Sequence, residues 1–128
     1  MNVLIIDNYD SFTYNIAHII RNYPGVNLQI KTAELINIED IESYDKIIFS
    51  PGPDLPAKRN IMSEVLRIYA GDKSILGICL GLQAIVLHYG GRLVRLDRVV
   101  HGRTKLVSRT STQSHLFDNL PGSFECHP

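Results

Sequence analysis

Apolar residues fall along this chain in short unbroken runs separated by stretches of helical spacing. The first run, Val3-Leu4-Ile5-Ile6, closes at Asp7, the pattern of a parallel strand buried on both faces. Asp10 or Ser11 is placed to cap the helix that follows, in which Phe12, Ile16, Ile19 and Ile20 recur at helical spacing. Tyr23-Pro24-Gly25 ends it. Leu28 and Ile30 alternate with polar neighbours, which predicts a strand nearer the sheet edge. Lys46-Ile47-Ile48-Phe49 reads as the next buried strand and runs into Ser50-Pro51-Gly52-Pro53. Pro56 suits the first turn of a helix carrying Ile61, Val65, Ile68 and Tyr69 on one face and stopped by Gly71. An apolar run after Ser74, a glycine-flanked turn at Cys79 and a helix through Ala84-Ile85-Val86-Leu87 complete the series, with Gly90-Gly91 as C-cap.

Strands and helices in alternation predict an α/β fold, a doubly wound and mostly parallel sheet flanked by helices, here as a single domain over residues 1–128. From Arg92 onward the pattern changes to short alternating pieces, Leu93-Val94 and Leu106-Val107, read as strands of a hairpin or extension. Leu120-Pro121-Gly122 is a turn.

Thirteen Lys plus Arg balance thirteen Asp plus Glu, so the formal net charge is zero. That removes the electrostatic case for nucleic acid or an anionic membrane as partner. Two cysteines, Cys79 and Cys126, do not make a disulfide framework. With neither a signal peptide nor a long apolar span, the expected location is a reducing cytoplasm. Nothing in the chain calls for a cofactor or a metal.

The chemistry is concentrated at Gly77-Ile78-Cys79-Leu80-Gly81. Strand, tight turn and helix in that order have the grammar of a nucleophile elbow, with cysteine in the place of serine. Such a thiol faces the first turn of a helix, whose free N–H groups and positive dipole end favour thiolate and can receive an oxyanion. The alternative is a buried apolar cysteine closing a core strand. Ligand crevices of open α/β sheets lie beyond the carboxyl ends of the strands. There Pro51-Gly52-Pro53 is either a plain turn or a stiff loop whose Gly52 N–H joins that of Leu80 as an oxyanion donor.

Four motifs occur in order: Ile6-Asp7-Asn8-Tyr9-Asp10-Ser11-Phe12-Thr13-Tyr14-Asn15, Ser50-Pro51-Gly52-Pro53, Gly77-Ile78-Cys79-Leu80-Gly81-Leu82-Gln83 and His101-Gly102-Arg103-Thr104. Together they resemble the class I (triad) glutamine amidotransferase domain, flavodoxin-like in fold, of anthranilate synthase and aminodeoxychorismate synthase small subunits. The resemblance implies that Cys79 attacks the side-chain amide of glutamine, forming a glutamyl thioester, and that ammonia passes to a chorismate-using synthase subunit. It implies Gly52 and Leu80 N–H groups as oxyanion hole and Gln83 as a contact to substrate glutamine. The opening segment would lie beside the active site and the subunit interface.

Leu82 stands where the family usually has histidine, and Asp54 where it usually has glycine. The family's catalytic histidine and glutamate belong to a Phe-His-Pro-Glu-like segment beyond the point that Leu116 to Phe124 resembles. His127-Pro128 matches that segment superficially, without the glutamate. The expectation is a domain truncated at its C-terminal end, impaired in turnover, with an uncovered sheet edge that favours self-association. A non-catalytic, partner-binding remnant of the family is the alternative. His18, His88 and His115 are read as surface residues, and His101 as a loop residue.

Overall fold

The computed structural model describes residues 1–56, 60–95, 97, 102, 104–110 and 114–126. Its contacts divide the chain into two compact units, Met1–Leu93 and Val94–Pro128.

The first unit is built on four parallel strands, β1 (Asn2–Asp7), β2 (Asn27–Thr32), β3 (Lys46–Phe49) and β4 (Ser74–Gly77), in the order β2-β1-β3-β4. Helix α1 (Thr13–Arg21) joins β1 to β2, α2 (Ile61–Tyr69) joins β3 to β4, and α3 (Leu80–His88) follows β4. Side chains of a strand point alternately to the two faces of a sheet, and β1 shows why its run is apolar throughout. Leu4 and Ile6 enter a core with Ile47, Phe49, α2 and α3, while Val3 and Ile5 join Ala17 of α1 and Ile48 on the other face. Covering both faces makes this the doubly wound parallel sheet that the alternation predicts. A single turn of 3-10 helix at Ala33–Leu35 and a longer one at Ile38–Ser43, neither foreseen from the sequence, carry the chain from β2 to β3. The second buries Ile41 under the α2 side of the sheet.

Element boundaries and faces differ from expectation in specific ways. The N-cap position of α1 is Phe12, with no side-chain cap, but Asp10 Oδ1 accepts Phe12 N–H at 2.8 Å. Asp10 therefore organises the approach to the helix, and Ser11 does not. Thr13 and Ala17 are the buried residues of α1, while Phe12 and Ile19 of the predicted face are exposed. Helix α2 begins at Ile61, well after Pro56, because Asn60 and Ser63 form a reciprocal capping box. Met62, Val65 and Leu66 are its buried positions, and Ile68 lies outside the core. The end of α3 agrees with the sequence pattern. Gly90 adopts φ +81° and donates to Leu87 O, and Gly91 N–H donates to Val86 O at 2.8 Å.

Strand β4 has β3 on one side and, among the described residues, no strand on the other. Register pairs Leu76 with Ile48, which places it on the α1 face, where it is 40% exposed.

In the second unit, β5 (Lys105–Ser108) pairs antiparallel with β6 (Ser123–Cys126). Leu106-Val107 is thus a strand as expected, but its partner is the segment at Phe124, for which the sequence pattern predicts no strand. Leu93-Val94 forms no strand. A cross-strand partner needs matched alternation, and Val107 finds it in Phe124. His101, Arg103 and His127 lie outside the described residues.

Candidate active site

The elbow forms where the sequence places it. Ile78 N–H donates to Phe49 O at 3.1 Å, carrying the chain one step past the end of β4 alongside β3. Cys79 then adopts φ 53°, ψ −109°, and α3 starts at Leu80. A non-glycine residue in such a conformation costs of order 1–3 kcal/mol and persists only where its surroundings enforce it. Here they do so by close approach. A Cβ on Gly77 would sit 2.4 Å from the carbonyl of Gly81, and a Cβ on Gly81 would sit 2.5 Å from Phe49 Cβ and O. Both glycines are required for α3 to start against the ends of β3 and β4.

The consequence is that Cys79 is exposed, so the alternative of a cysteine closed in the core does not hold. Its side chain makes no cap hydrogen bond. Leu80, next along, is buried against the α2-side core. Leu82 is exposed. Gln83, one turn after Cys79, donates its backbone N–H to Cys79 O at 3.0 Å. Its side-chain Oε1 is buried with no donor among the described residues. An unpaired buried acceptor costs about 1–3 kcal/mol.

Gly52 reaches the same neighbourhood from the end of β3. A Cβ built on it would lie 2.6 Å from both Asn8 Cβ and Leu80 Cδ2, so Gly52 is wedged between the end of β1 and the start of α3. No hydrogen bond from its N–H is found among the described residues. The structure therefore brings Gly52, Leu80, Cys79 and Gln83 together, on loops and helix starts at the carboxyl ends of β3 and β4. Asp54, at the far end of the loop, takes φ 62°, the left-handed conformation that glycine adopts most readily.

Sequence reasoning did not see what holds this arrangement. Asn8 N–H donates to Ser50 Oγ at 2.9 Å, and Asn8 Nδ2 donates to Ser50 O at 3.1 Å. Ser50 is wholly buried, and its hydroxyl donates onward to Pro51 O at 2.7 Å. The Asn8 segment is itself fixed by Asp7, whose Oδ1 accepts from Thr13 Oγ1 at 2.7 Å. A buried polar residue closing an apolar strand, as Asp7 and Ser50 both do, was the available signal. Beside them Tyr9, at φ 62°, donates its phenol to Glu34. That bond pushes the phenol above its ordinary range and draws the Glu34 carboxyl below its own.

Among the described residues no group of three or more His, Cys, Asp or Glu is placed to hold a metal ion, and no helix is long and apolar enough to cross a membrane. His18, His88 and His115 are exposed or nearly so. His88 packs edge-on against Tyr89 and His115 pairs with Asp118.

The family profile described as glutamine amidotransferase class-I matches residues 4–127. The chain belongs to the class I glutamine amidotransferase family. Within it, the chain is 43% identical over 127 residues to anthranilate synthase component 2 of Lactococcus lactis, covering 95% of this chain and 61% of that protein. It is 40% identical to aminodeoxychorismate synthase component 2 of Escherichia coli over 108 residues, 83% of this chain and 57% of the relative. It thus spans about three fifths of the length of these amidotransferase relatives. A crystal structure from Thermoplasma acidophilum, of a chain assigned to GMP synthase, superposes with a TM-score of 0.73 at 25% identity. That alignment covers 98% of this chain and 62% of the other. The amidotransferase fold is therefore shared along essentially the whole chain.

Proposed function

We propose that this chain is the glutaminase part of a chorismate-using amidotransferase, in which Cys79 takes the amide group from glutamine. The observation that carries the reading is an exposed cysteine held at positive φ on a strand-to-helix elbow, with Gly52, whose N–H has no acceptor among the described residues, beside Leu80. Cys79 Sγ attacks the side-chain amide carbon of glutamine, and the carbonyl oxygen, now negative, is received by the N–H groups of Gly52 and Leu80. Collapse breaks the C–N bond, releases ammonia and leaves a glutamyl thioester. Water then attacks the thioester to give glutamate and return the thiol. Gln83, one turn after Cys79, is the proposed contact to the substrate glutamine.

Relatives named component 2 imply a component 1, and the proposed destination of ammonia is such a synthase partner, making anthranilate or 4-amino-4-deoxychorismate. The edge of β4 that pairs with no strand among the described residues, together with exposed Leu76, supports self-association of this chain as well. Sedimentation of Leu76→Lys against the parent chain tests this second proposal, and a parent chain that stays monomeric at high concentration refutes it.

The test of the main proposal is covalent labelling with a glutamine analogue carrying a chloroketone in place of the carboxamide. Saturable modification of Cys79, protected by glutamine, is expected. Reaction with iodoacetamide but not with the chloroketone means that no glutamine pocket exists. Labelling together with partner binding but without glutamine-dependent ammonia release identifies the chain as a partner-binding remnant.

A further inference from the structure

A backbone N–H works as an oxyanion donor only if its peptide plane is held, and a loop of one glycine between two prolines does not by itself hold one. The peptide joining Pro51 to Gly52 is planar and trans. Its C=O and N–H therefore point in opposite directions, and fixing one fixes the other. In this structure the carbonyl is the end that is fixed: Ser50 Oγ donates to Pro51 O at 2.7 Å.

Ser50 has a single hydroxyl proton, and two other contacts commit it to that carbonyl. Asn8 N–H occupies the hydroxyl's acceptor side at 2.9 Å, so the proton turns away from Asn8 and toward Pro51. Asn8 Nδ2 holds Ser50 O at 3.1 Å and reaches Ser50 Oγ and Met62 Sδ at 3.5 Å each. Ser50 N–H is tied back to Ile6 O at 3.1 Å. Ser50 is fully buried, which shields the relay from competing water. A Cβ built on Gly52 would lie 2.6 Å from both Asn8 Cβ and Leu80 Cδ2, so these two residues occupy the side of Gly52 where a side chain would stand.

We infer that Ser50, oriented by Asn8, is a positioning residue for the reaction: it aims the Gly52 N–H by holding the carbonyl at the other end of the same peptide. The inference rests on the proposed role of Gly52 as an oxyanion donor. It assigns the end of β1 a task distinct from contact with a partner chain, namely setting the geometry of a donor carried by β3. Ser50 and Asn8 both act through the Pro51–Gly52 peptide.

The experiment uses Ser50→Ala, Ser50→Thr and Asn8→Ala in the chain as it stands, with two readouts. The first is the labelling rate of Cys79 by the glutamine chloroketone, normalised to its rate with iodoacetamide. Ser50→Ala lowers the normalised rate by about tenfold or more, a fraction of what losing an oxyanion donor outright costs. Ser50→Thr, which keeps the hydroxyl, recovers most of it, and Asn8→Ala falls between. The second readout is the Gly52 amide resonance in a 1H–15N spectrum, which moves or broadens in Ser50→Ala as the peptide plane is released. A merely structural serine would lower Tm and leave the normalised rate unchanged.

An unchanged normalised rate in Ser50→Ala overturns the inference, as does a lowered rate with an unmoved Gly52 resonance. If the parent chain itself is not labelled by the chloroketone, the amidotransferase reading fails. The Gly52 resonance then still decides whether Ser50 holds the plane. Should Ser50→Ala not fold, Asn8→Ala carries the same comparison, since it leaves the buried hydroxyl in place.

Discussion

Cys79 is the residue at which local preference and function disagree most. Its backbone angles suit glycine better than cysteine, and the strain, about 1–3 kcal/mol, exceeds what glycine loses in chain entropy, about 0.5–1 kcal/mol. Cys79→Gly is therefore expected to raise the melting temperature by a few degrees while abolishing labelling by the glutamine chloroketone. A fall in Tm would show that the elbow is not strained. At Tyr9 the effect is electrostatic. Glu34 lies below the ordinary carboxyl range, so its share of the stabilisation is present at higher pH and is lost as pH falls through that lowered value. Tyr9 is raised, so its share is present below the ordinary phenol range and is lost as pH rises through the raised value. Glu34→Gln should return the Tyr9 phenol toward its ordinary value of 10.0 in a spectrophotometric titration. Both groups are exposed, so little change in stability accompanies it.

At the scale of elements, contacts between backbones decide more than propensity does. Helix α3 can begin against β3 only because Gly81 has no side chain. Gly81→Ala forces a methyl against Phe49 backbone and is expected to cost about 1–3 kcal/mol in a denaturant melt, as overpacking does. Because the displaced element carries Leu80, the same variant should also lose chloroketone labelling. Helix α2 shows the opposite balance, since its start is set by its own polar residues. Asn60→Ala removes one half of the capping box and should cost about 1 kcal/mol. It should leave the labelling rate of Cys79 untouched, since the bonds Asn60 makes are confined to the first turn of α2.

Across the whole molecule, burial is concentrated in one of the two units. The core residues all belong to Met1–Leu93, while the described residues of Val94–Pro128 include none that is buried. Stability follows buried apolar contact, so backbone amides of β5 and β6 should exchange with solvent much faster than those of β1 and β3. Hydrogen exchange followed by mass spectrometry measures this directly, and equal protection in the two units would refute it. Phe49→Ala, at a fully buried position under α2 and α3, should cost about 3–5 kcal/mol.

Much of this was legible in the chain itself. Runs such as Val3-Leu4-Ile5-Ile6 and Lys46-Ile47-Ile48-Phe49 determine buried parallel strands, because an all-apolar strand is stable only with both faces covered. The spacing of Gly77, Cys79 and Gly81 determines the elbow, since only glycines allow a helix to start that close to a strand end. The start of α2 and the strand pairing of Leu106-Val107 were not determined this way. The first depends on a side-chain exchange between Asn60 and Ser63, and the second on Phe124, distant in sequence. Strand order and the Asn8, Ser50 and Pro51 relay were decided by tertiary structure alone. A hydroxyl finds its acceptor by position in space, and Asn8 and Ser50 become neighbours only when β1 and β3 lie side by side.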